Sequence, residues 1–186
     1  MIEVSTMIFA TVGTQLPFDR MLTSLDNWAA HNPGIPVFAQ TGDSPGSFPH
    51  LDTVASLSQV EFQTRFERAR LVVAHAGMGT ILSAAEVGKP LILMPRRMKF
   101  KEHRTDHQQD TANEMARLSN VTVVQDGQTL CKELDRALAS GFQLPPAAAS
   151  QESADLEELL GAIQDFVWDR PVQQASTKPA DQSGAA

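Results

Sequence analysis

Short apolar segments alternate with longer amphipathic ones over most of the chain. Six segments of four to six residues, apolar and partly β-branched, predict buried strands at 7–12, 35–39, 54–57, 71–74, 90–95 and 121–124. Apolar residues at helical spacing, or capping residues ahead of them, predict helices over 17–29, 58–68, 80–87, 106–118 and 129–139. This alternation is typical of β-α-β units. We therefore expect an open, mostly parallel α/β sheet with helices on both faces.

The pattern changes near residue 143. Residues 144–150 are mostly Pro, Ala and Ser, which predicts a linker. Apolar residues then recur at helical spacing within 151–170 and predict an amphipathic helix. Residues 171–186 are dominated by Gln, Ser, Thr, Pro and Ala, a composition typical of disorder. We therefore expect one α/β domain over 7–143, followed by a linker, a helix and a disordered tail.

The composition is that of a folded, soluble protein. The 186 residues are 42% hydrophobic and 20% charged, which excludes a disordered or collagen-like chain. A single cysteine, Cys131, excludes a disulfide framework and a cysteine-only metal cluster. The longest apolar runs have about five residues, whereas a membrane span needs roughly 18. No secretory signal is recognisable either, so we expect a cytoplasmic location.

The charge is unevenly distributed. Of the net charge of −7, five charges belong to the residues from Gln151 onward, so the α/β domain itself is nearly neutral. This balance argues against a protein that wraps nucleic acid. Residues 96–104 nevertheless hold five of the fifteen Lys and Arg. Such a segment is suited to a diphosphate, an acidic sugar, an anionic membrane or an acidic partner, or it is a plain solvated loop.

Three polar loops follow predicted strands, at 13–15, 75–80 and 96–109, where open α/β sheets bind their ligands. In the second loop, Gly77 and Gly79 allow close backbone approach, and the following helix directs its N-terminal amides toward a ligand. His75 and Thr80 add side-chain donors, so the loop suits a phosphate. The alternative is that the glycines form only a tight turn and that His75 is a structural histidine.

Two other nucleotide motifs fit this loop poorly. The dinucleotide pattern requires a third glycine where Leu82 stands, and it belongs to the first strand of a domain. The phosphate-binding P-loop requires a Gly-Lys-Ser/Thr sequence that does not follow here. Arg96 and Arg97 are nevertheless suited to a 2′-phosphate, so an NADP-dependent oxidoreductase remains an alternative.

The start of the predicted helix at 106–118 offers two interpretations. His103 and His107 lie four residues apart, as metal ligands on one helix face do. Asp106, however, stands where the zinc-hydrolase motif requires Glu, and the third ligand is unidentified, so we expect no metal. Asp106, Gln108 and Gln109 are better suited to sugar hydroxyls. The alternative is that Asp106 caps the helix and that both glutamines are solvated.

Seven segments carry a resemblance to a known family. They are FATVGT (9–14), PFDR (17–20), HAGMGT (75–80), GKPLI (88–92), PRR (95–97), EH (102–103) and DHQ (106–108). Together they resemble the C-terminal domain of glycosyltransferase family 28 over about residues 7–140. The sequence is most similar to the short catalytic subunits of bacterial exopolysaccharide glycosyltransferases. It is more distantly similar to the catalytic subunit of the eukaryotic dolichol-linked N-acetylglucosaminyltransferase.

The resemblance implies a Rossmann-like fold equivalent to the C-terminal half of a GT-B enzyme, the half that binds the nucleotide-sugar donor. The substrate-binding residues that we expect are Gly13, Thr14, His75, Gly77, Met78, Gly79, Thr80, Glu86, Arg96, Arg97, His107, Gln108 and Gln109. Related enzymes hold the ribose with an acidic residue where Ser83 stands, and Glu86 lies one turn later. The resemblance implies no cofactor and no metal, and the general base is left unassigned.

The expected activity is that of a UDP-sugar-dependent, inverting hexosyltransferase. A whole GT-B enzyme needs two α/β domains, so we expect a membrane-anchored partner subunit to supply the acceptor half and to bring this chain to the inner membrane face. The acceptor would be a lipid-linked saccharide in exopolysaccharide or capsule synthesis. The second hypothesis is a UDP-sugar-binding or regulatory module without transferase activity.

Overall fold

Six parallel strands form one sheet in the computed structural model, which describes residues 7–142. The strands are β1 (Ile8–Thr11), β2 (Val37–Gln40), β3 (Asp52–Val54), β4 (Leu71–Ala74), β5 (Leu91–Leu93) and β6 (Val121–Val123). The helices are α1 (Asp19–His31), α2 (Gln59–Arg68), α3 (Met78–Glu86), α4 (His107–Met115) and α5 (Gly127–Ala139). A 3₁₀ turn covers Met98–Phe100. The predicted parallel α/β sheet is confirmed.

The strand order is β3-β2-β1-β4-β5-β6. The chain therefore builds the sheet outward from β1 in one direction, and then returns to β4 and builds in the other direction. At the carboxyl end of β1, Thr11 pairs with Gln40 of β2 and with Ala74 of β4. The loops after β1 and β4 diverge from this point, and a crevice between such loops is where sheets of this order bind ligands.

The central strand β1 is buried on both faces because helices cover each of them. Ile8 and Ala10 belong to the same buried cluster as apolar residues of α1 and α5. Phe9 faces the other way, since successive side chains of a strand alternate. The Phe9 ring lies 5.3 Å from the ring of Phe62 in α2. This double burial explains why β1 is apolar throughout rather than alternating with polar residues.

Most elements begin and end within two residues of the predicted bounds, and three differ by more than that. The third strand was predicted at 54–57, but β3 lies at Asp52–Val54. It is an edge strand of mostly exposed residues, and backbone pairing with β2 holds it in the sheet. Such an edge strand needs no apolar pattern, which is why the prediction was misplaced. Helix α4 ends at Met115, before the predicted end at 118. The 3₁₀ turn lies within the segment that was predicted as a loop.

The predicted linker, amphipathic helix and tail at 144–150, 151–170 and 171–186 lie outside the described residues. Within residues 7–142, none of the helices is both long enough and apolar enough to cross a membrane.

Candidate functional site

Loops after three neighbouring strands gather beyond the carboxyl ends of the sheet. Residues 12–18 follow β1, residues 75–77 follow β4, and residues 94–106 follow β5. Because β1, β4 and β5 are adjacent in the sheet, the three loops that carry the predicted site residues lie next to one another. Hydrogen bonds from Arg96 join the third loop to the first.

His75 is packed between two of the predicted glycines. A Cβ atom at Gly13 would lie 2.5 Å from Cε1 of His75, and one at Gly77 would overlap Nε2 of the same ring. Gly13 also has a φ of +76°, in the left-handed region that favours glycine. These two glycines are therefore required by the close approach of the imidazole, whatever ligand binds outside it.

The imidazole of His75 is held in its neutral form. Its pKa is lowered from 6.5 to about 4, and burial is the largest cause. The nearby charges of Arg96 and His103 contribute to the lowering, and the Thr11 carbonyl opposes it. The Nδ1 atom is buried with no hydrogen-bond partner in the part of the chain described. At neutral pH, His75 can thus act as a hydrogen-bonding group but brings no positive charge.

The N-terminus of α3 is open toward the same loops. Gly77 is the capping residue, no side chain caps the helix, and its first turn contains no acidic residue. A Cβ atom at Gly79 would meet nothing within 4 Å. Thr80 is buried. The first-turn amides of Met78, Gly79 and Thr80 and the positive end of the helix dipole therefore form a site suited to an anion.

Arg96 is buried beneath the loops rather than exposed at their surface. Its side chain is 2% exposed, and its guanidinium donates to the carbonyl oxygens of Val12 (2.7 Å), Leu16 and Pro17, all in the loop after β1. It also lies 4.8 Å from the centre of the Phe18 ring. Burial lowers its pKa to about 10, so the group remains charged at neutral pH. Arg96 thus connects the loops after β5 and β1.

An ion pair that the sequence did not reveal shapes residues 96–104, the basic segment. Arg20 of α1 donates through Nε to Glu102 Oε1 at 2.7 Å and through a second nitrogen to Glu102 Oε2 at 2.9 Å. Glu102 also accepts from the backbone amide of Arg97 at 3.0 Å. Because Arg20 and Glu102 lie 82 positions apart in the chain, no local periodicity indicates this pair. Their occurrence in the PFDR and EH motifs was the available signal.

The start of α4 is tied to the same loops. Gln108 Oε1 accepts from the backbone amide of Arg96 at 3.0 Å, and Asp106 Oδ1 accepts from the amide of Met98 at 2.8 Å. Asp106 is the capping residue of α4, although its side chain does not bond to the helix amides. Gln109 Oε1 is buried without a hydrogen-bond partner within residues 7–142. His107 is exposed at the first position of the helix.

The remaining predicted residues lie at the periphery of this arrangement. Thr14 is exposed on the loop after β1, and Arg97 is half-buried with one guanidinium nitrogen 2.7 Å from Gln125 Oε1. Glu86 is exposed at the last position of α3, about 12 Å along the axis from Met78. The structure therefore does not bring Glu86 to the loops. Ser83 lies one turn nearer to them and is half-buried.

The geometry favours an anionic ligand held by backbone amides. The open end of α3 supplies donors and a partial positive charge, and neutral His75 supplies a side chain beside it. Among residues 7–142, no three His, Cys, Asp or Glu side chains are placed to hold a metal ion.

Comparison with known proteins identifies a family. Residues 7–162 match the model of the glycosyltransferase family 28 C-terminal domain. A protein from Solibacter usitatus (strain Ellin6076), UDP-N-acetylglucosamine–N-acetylmuramyl-(pentapeptide) pyrophosphoryl-undecaprenol N-acetylglucosamine transferase, is 26% identical over 147 residues. That match covers 68% of this chain but 40% of the relative, so the chain spans less than half of its length.

Solved structures support the same fold. The glycotransferase of kitacinnamycin superposes with a TM-score of 0.59 at 17% identity, over 91% of this chain and 44% of the other. The solution structure of ALG13 superposes with a TM-score of 0.54 at 19% identity, over 84% of this chain and 95% of the other. The predicted fold, equivalent to the C-terminal half of a GT-B enzyme, and the predicted family resemblance are both confirmed.

Replacement of the buried arginine should destabilise the protein far more than replacement of its neighbour. Arg96→Met leaves the Val12, Leu16 and Pro17 carbonyls without their donor, so we expect the free energy of unfolding to fall by about 2–4 kcal/mol. Arg97→Met is the matched control and should change it by less than about 0.5 kcal/mol. Urea denaturation of the two variants measures the difference, and equal losses would contradict the assigned role of Arg96.

The shifted pKa of His75 should make stability depend on pH. Between pH 6.5 and about 4 the unfolded chain binds a proton at His75 that the folded chain does not bind. The free energy of unfolding should therefore decrease as the pH falls through this window. Ring chemical shifts of His75, followed by NMR during acid titration, should report a neutral imidazole until the pH approaches 4. A midpoint near 6.5 would show that the ring is solvated.

Proposed function

The chain belongs to the glycosyltransferase family 28 C-terminal domain family, and on this basis we propose that it is the donor-binding catalytic subunit of a UDP-sugar-dependent glycosyltransferase. The observation that carries the proposal is the uncapped N-terminus of α3, open beside His75 at the point where the strand order reverses. A nucleoside diphosphate supplies the anion that such a helix end favours.

The diphosphate would bind to the first-turn amides of α3. Met78, Gly79 and Thr80 present these amides, and the absence of a side chain at Gly79 leaves room for phosphate oxygens. Gly13 and Thr14 approach from the loop after β1, with Thr14 exposed and able to donate its hydroxyl. When the bond to the sugar breaks, negative charge grows on the departing diphosphate, and fixed amide dipoles stabilise it without reorganisation.

The two arginines of the basic segment have different roles in this proposal. Arg96 positions the loop after β1 through its bonds to Val12, Leu16 and Pro17, and it does not contact the donor. Arg97 is half-buried and remains the candidate cation for the diphosphate.

The donor sugar would contact the start of α4. Gln108 directs its amide oxygen to Arg96, which leaves its amide nitrogen to donate to a sugar hydroxyl. His107 and Gln109 flank it, and the buried Oε1 of Gln109 lacks a partner in the described part of the chain. Glu86 lies outside this arrangement, so we do not include it in the proposed donor site.

Transfer would proceed by inversion to the hydroxyl of a lipid-linked saccharide, in exopolysaccharide or capsule synthesis. The acceptor-binding half and the general base that deprotonates the hydroxyl would belong to a membrane-anchored partner subunit. The match covers 95% of the ALG13 chain, so a domain of this fold also occurs as a chain of similar length. This similarity in length and fold supports the proposal of a separate donor-binding subunit. The arrangement predicts transfer only when chain and partner are combined.

Titration of the purified chain tests donor binding. Calorimetry with UDP, UDP-glucose, UDP-glucuronate, UDP-N-acetylglucosamine and NADPH should give saturable binding of UDP and of at least one UDP-sugar. Binding of NADPH without UDP would instead favour the oxidoreductase. Binding of UDP-sugars without transfer, even after the partner subunit is added, would favour a non-catalytic module.

A side chain at Gly79 should block the diphosphate while leaving the fold intact. The position is exposed, and no atom lies within 4 Å of an added Cβ, so Gly79→Val should lower UDP affinity by more than about tenfold, or 1.4 kcal/mol. Gly34→Val is the matched control, because Gly34 also faces open space but precedes β2 at the opposite edge of the sheet. Undiminished affinity in Gly79→Val would move the diphosphate away from α3.

Gln108→Glu tests the sugar contact. The substitution keeps an oxygen for the Arg96 amide but removes the amide nitrogen that would donate to a hydroxyl. We expect the affinity for the UDP-sugar to fall about three- to tenfold, the equivalent of one hydrogen bond, while the affinity for UDP stays nearly unchanged. Equal losses for both ligands in calorimetry would show that Gln108 does not contact the sugar.

A further inference from the structure

We propose that the 3₁₀ turn of the basic segment contacts anionic phospholipid bilayers directly. The contact surface consists of Leu16, Met98, Lys99, Phe100 and Lys101, and we call it the turn patch. The proposal goes beyond donor binding and does not depend on it, because none of these residues belongs to the proposed donor site.

Exposed apolar side chains are concentrated in the turn patch. Within residues 7–142, five large apolar side chains are exposed, and three of them lie here: Leu16 (38%), Met98 (54%) and Phe100 (49%). Leu16, Phe100 and Lys101 line one surface depression of about 350 Å³. Isolated exposed apolar residues are normal on protein surfaces, but a group of them marks an interaction site.

Unpaired positive charges surround these apolar side chains. Lys99 and Lys101 are exposed, and the Lys99 ammonium lies 4.7 Å from the centre of the Phe100 ring. Across the described range 7–142, no carboxylate forms an ion pair with either lysine or with the nearby exposed Arg104. The chain as a whole carries a charge of −7, so this local excess of cations does not follow from its composition.

The turn patch is held in place from beneath. The Arg20 guanidinium lies 4.9 Å from the centre of the Phe100 ring and is itself bound to Glu102. The amide of Met98 donates to Asp106, and Lys101 closes the turn in the left-handed conformation, with φ of +59°. A lysine therefore occupies a position whose backbone favours glycine, which keeps a cation at the end of the turn.

This combination matches a lipid surface better than a protein surface. Apolar side chains enter the boundary between headgroups and acyl chains, while neighbouring lysines attract anionic headgroups. Protein interfaces are also rich in Met and Phe, but lysine is depleted there. The turn patch follows β5 on the same edge of the sheet as the open end of α3, so the contact would bring the candidate site close to the bilayer.

Sedimentation of the full chain with lipid vesicles tests this proposal. The chain should bind vesicles of phosphatidylcholine mixed equally with phosphatidylglycerol and should bind pure phosphatidylcholine much more weakly. Lys99→Gln combined with Lys101→Gly should reduce the partition coefficient about tenfold. The glycine is chosen because it suits the left-handed conformation at that position. Met98→Ser combined with Phe100→Ser should reduce it to a similar degree.

The matched control removes apolar side chains elsewhere that are more exposed than Met98 and Phe100. Val60→Ser combined with Val87→Ser should leave vesicle binding unchanged, because these residues are 76% and 59% exposed but lie outside the turn patch. Circular dichroism and thermal melting should show that all three variants are folded.

Three outcomes would overturn the proposal. They are absence of wild-type binding to anionic vesicles, equal binding to anionic and to pure phosphatidylcholine vesicles, and equal losses in the control and patch variants. Titration of the patch variants with UDP gives a separate result and should match the wild type. Failure of membrane contact and failure of donor binding are thereby distinguishable.

Discussion

The buried guanidinium of Arg96 is the constraint on which the arrangement of the loops depends. A charge removed from water is tolerated when hydrogen bonds replace those to water, and the two terminal nitrogens of Arg96 donate to carbonyl oxygens of the loop after β1. The loop cannot move away without leaving that charge unpaired. Because Gln108 binds the backbone of the same arginine, the start of α4 is subject to the same constraint. One residue thus sets the relative positions of three segments.

Because the Arg96 guanidinium is bound to backbone carbonyl oxygens within the protein, the attraction for an anion comes mainly from backbone amides. The uncapped α3 provides it, and His75 beside it is neutral because desolvation of its ring lowers its pKa. Fixed dipoles of this kind need no reorganisation when charge develops on a ligand. Gly13 and Gly77 make space for the imidazole of His75, so they do not act on a ligand directly. Gly79 instead leaves open space at the helix end, where a ligand can approach the amides.

The basic segment divides into an inner and an outer part. Arg96 and Glu102 face inward and bind the loop after β1 and Arg20 of α1. Met98, Lys99 and Phe100 face outward between them, on a turn that these inner contacts hold in place. A cluster of cations in a sequence therefore has no single role here, because burial removes some charges from the surface and leaves others exposed to a ligand or a bilayer.

The sequence by itself determined the α/β architecture, because strands buried on both faces require apolar runs and amphipathic helices require their own periodicity, and both patterns are local. It also determined the glycine loop and the family, since HAGMGT and its neighbouring motifs are contiguous. It misplaced β3, whose pairing depends on β2 rather than on apolar residues. Only the tertiary structure decided that Arg96 is buried while Arg97 is half-buried. It also decided that Arg20 pairs with Glu102 and that Glu86 lies away from the loops. Adjacent arginines have the same local chemistry, and only the packing of distant segments decides which of them loses contact with water.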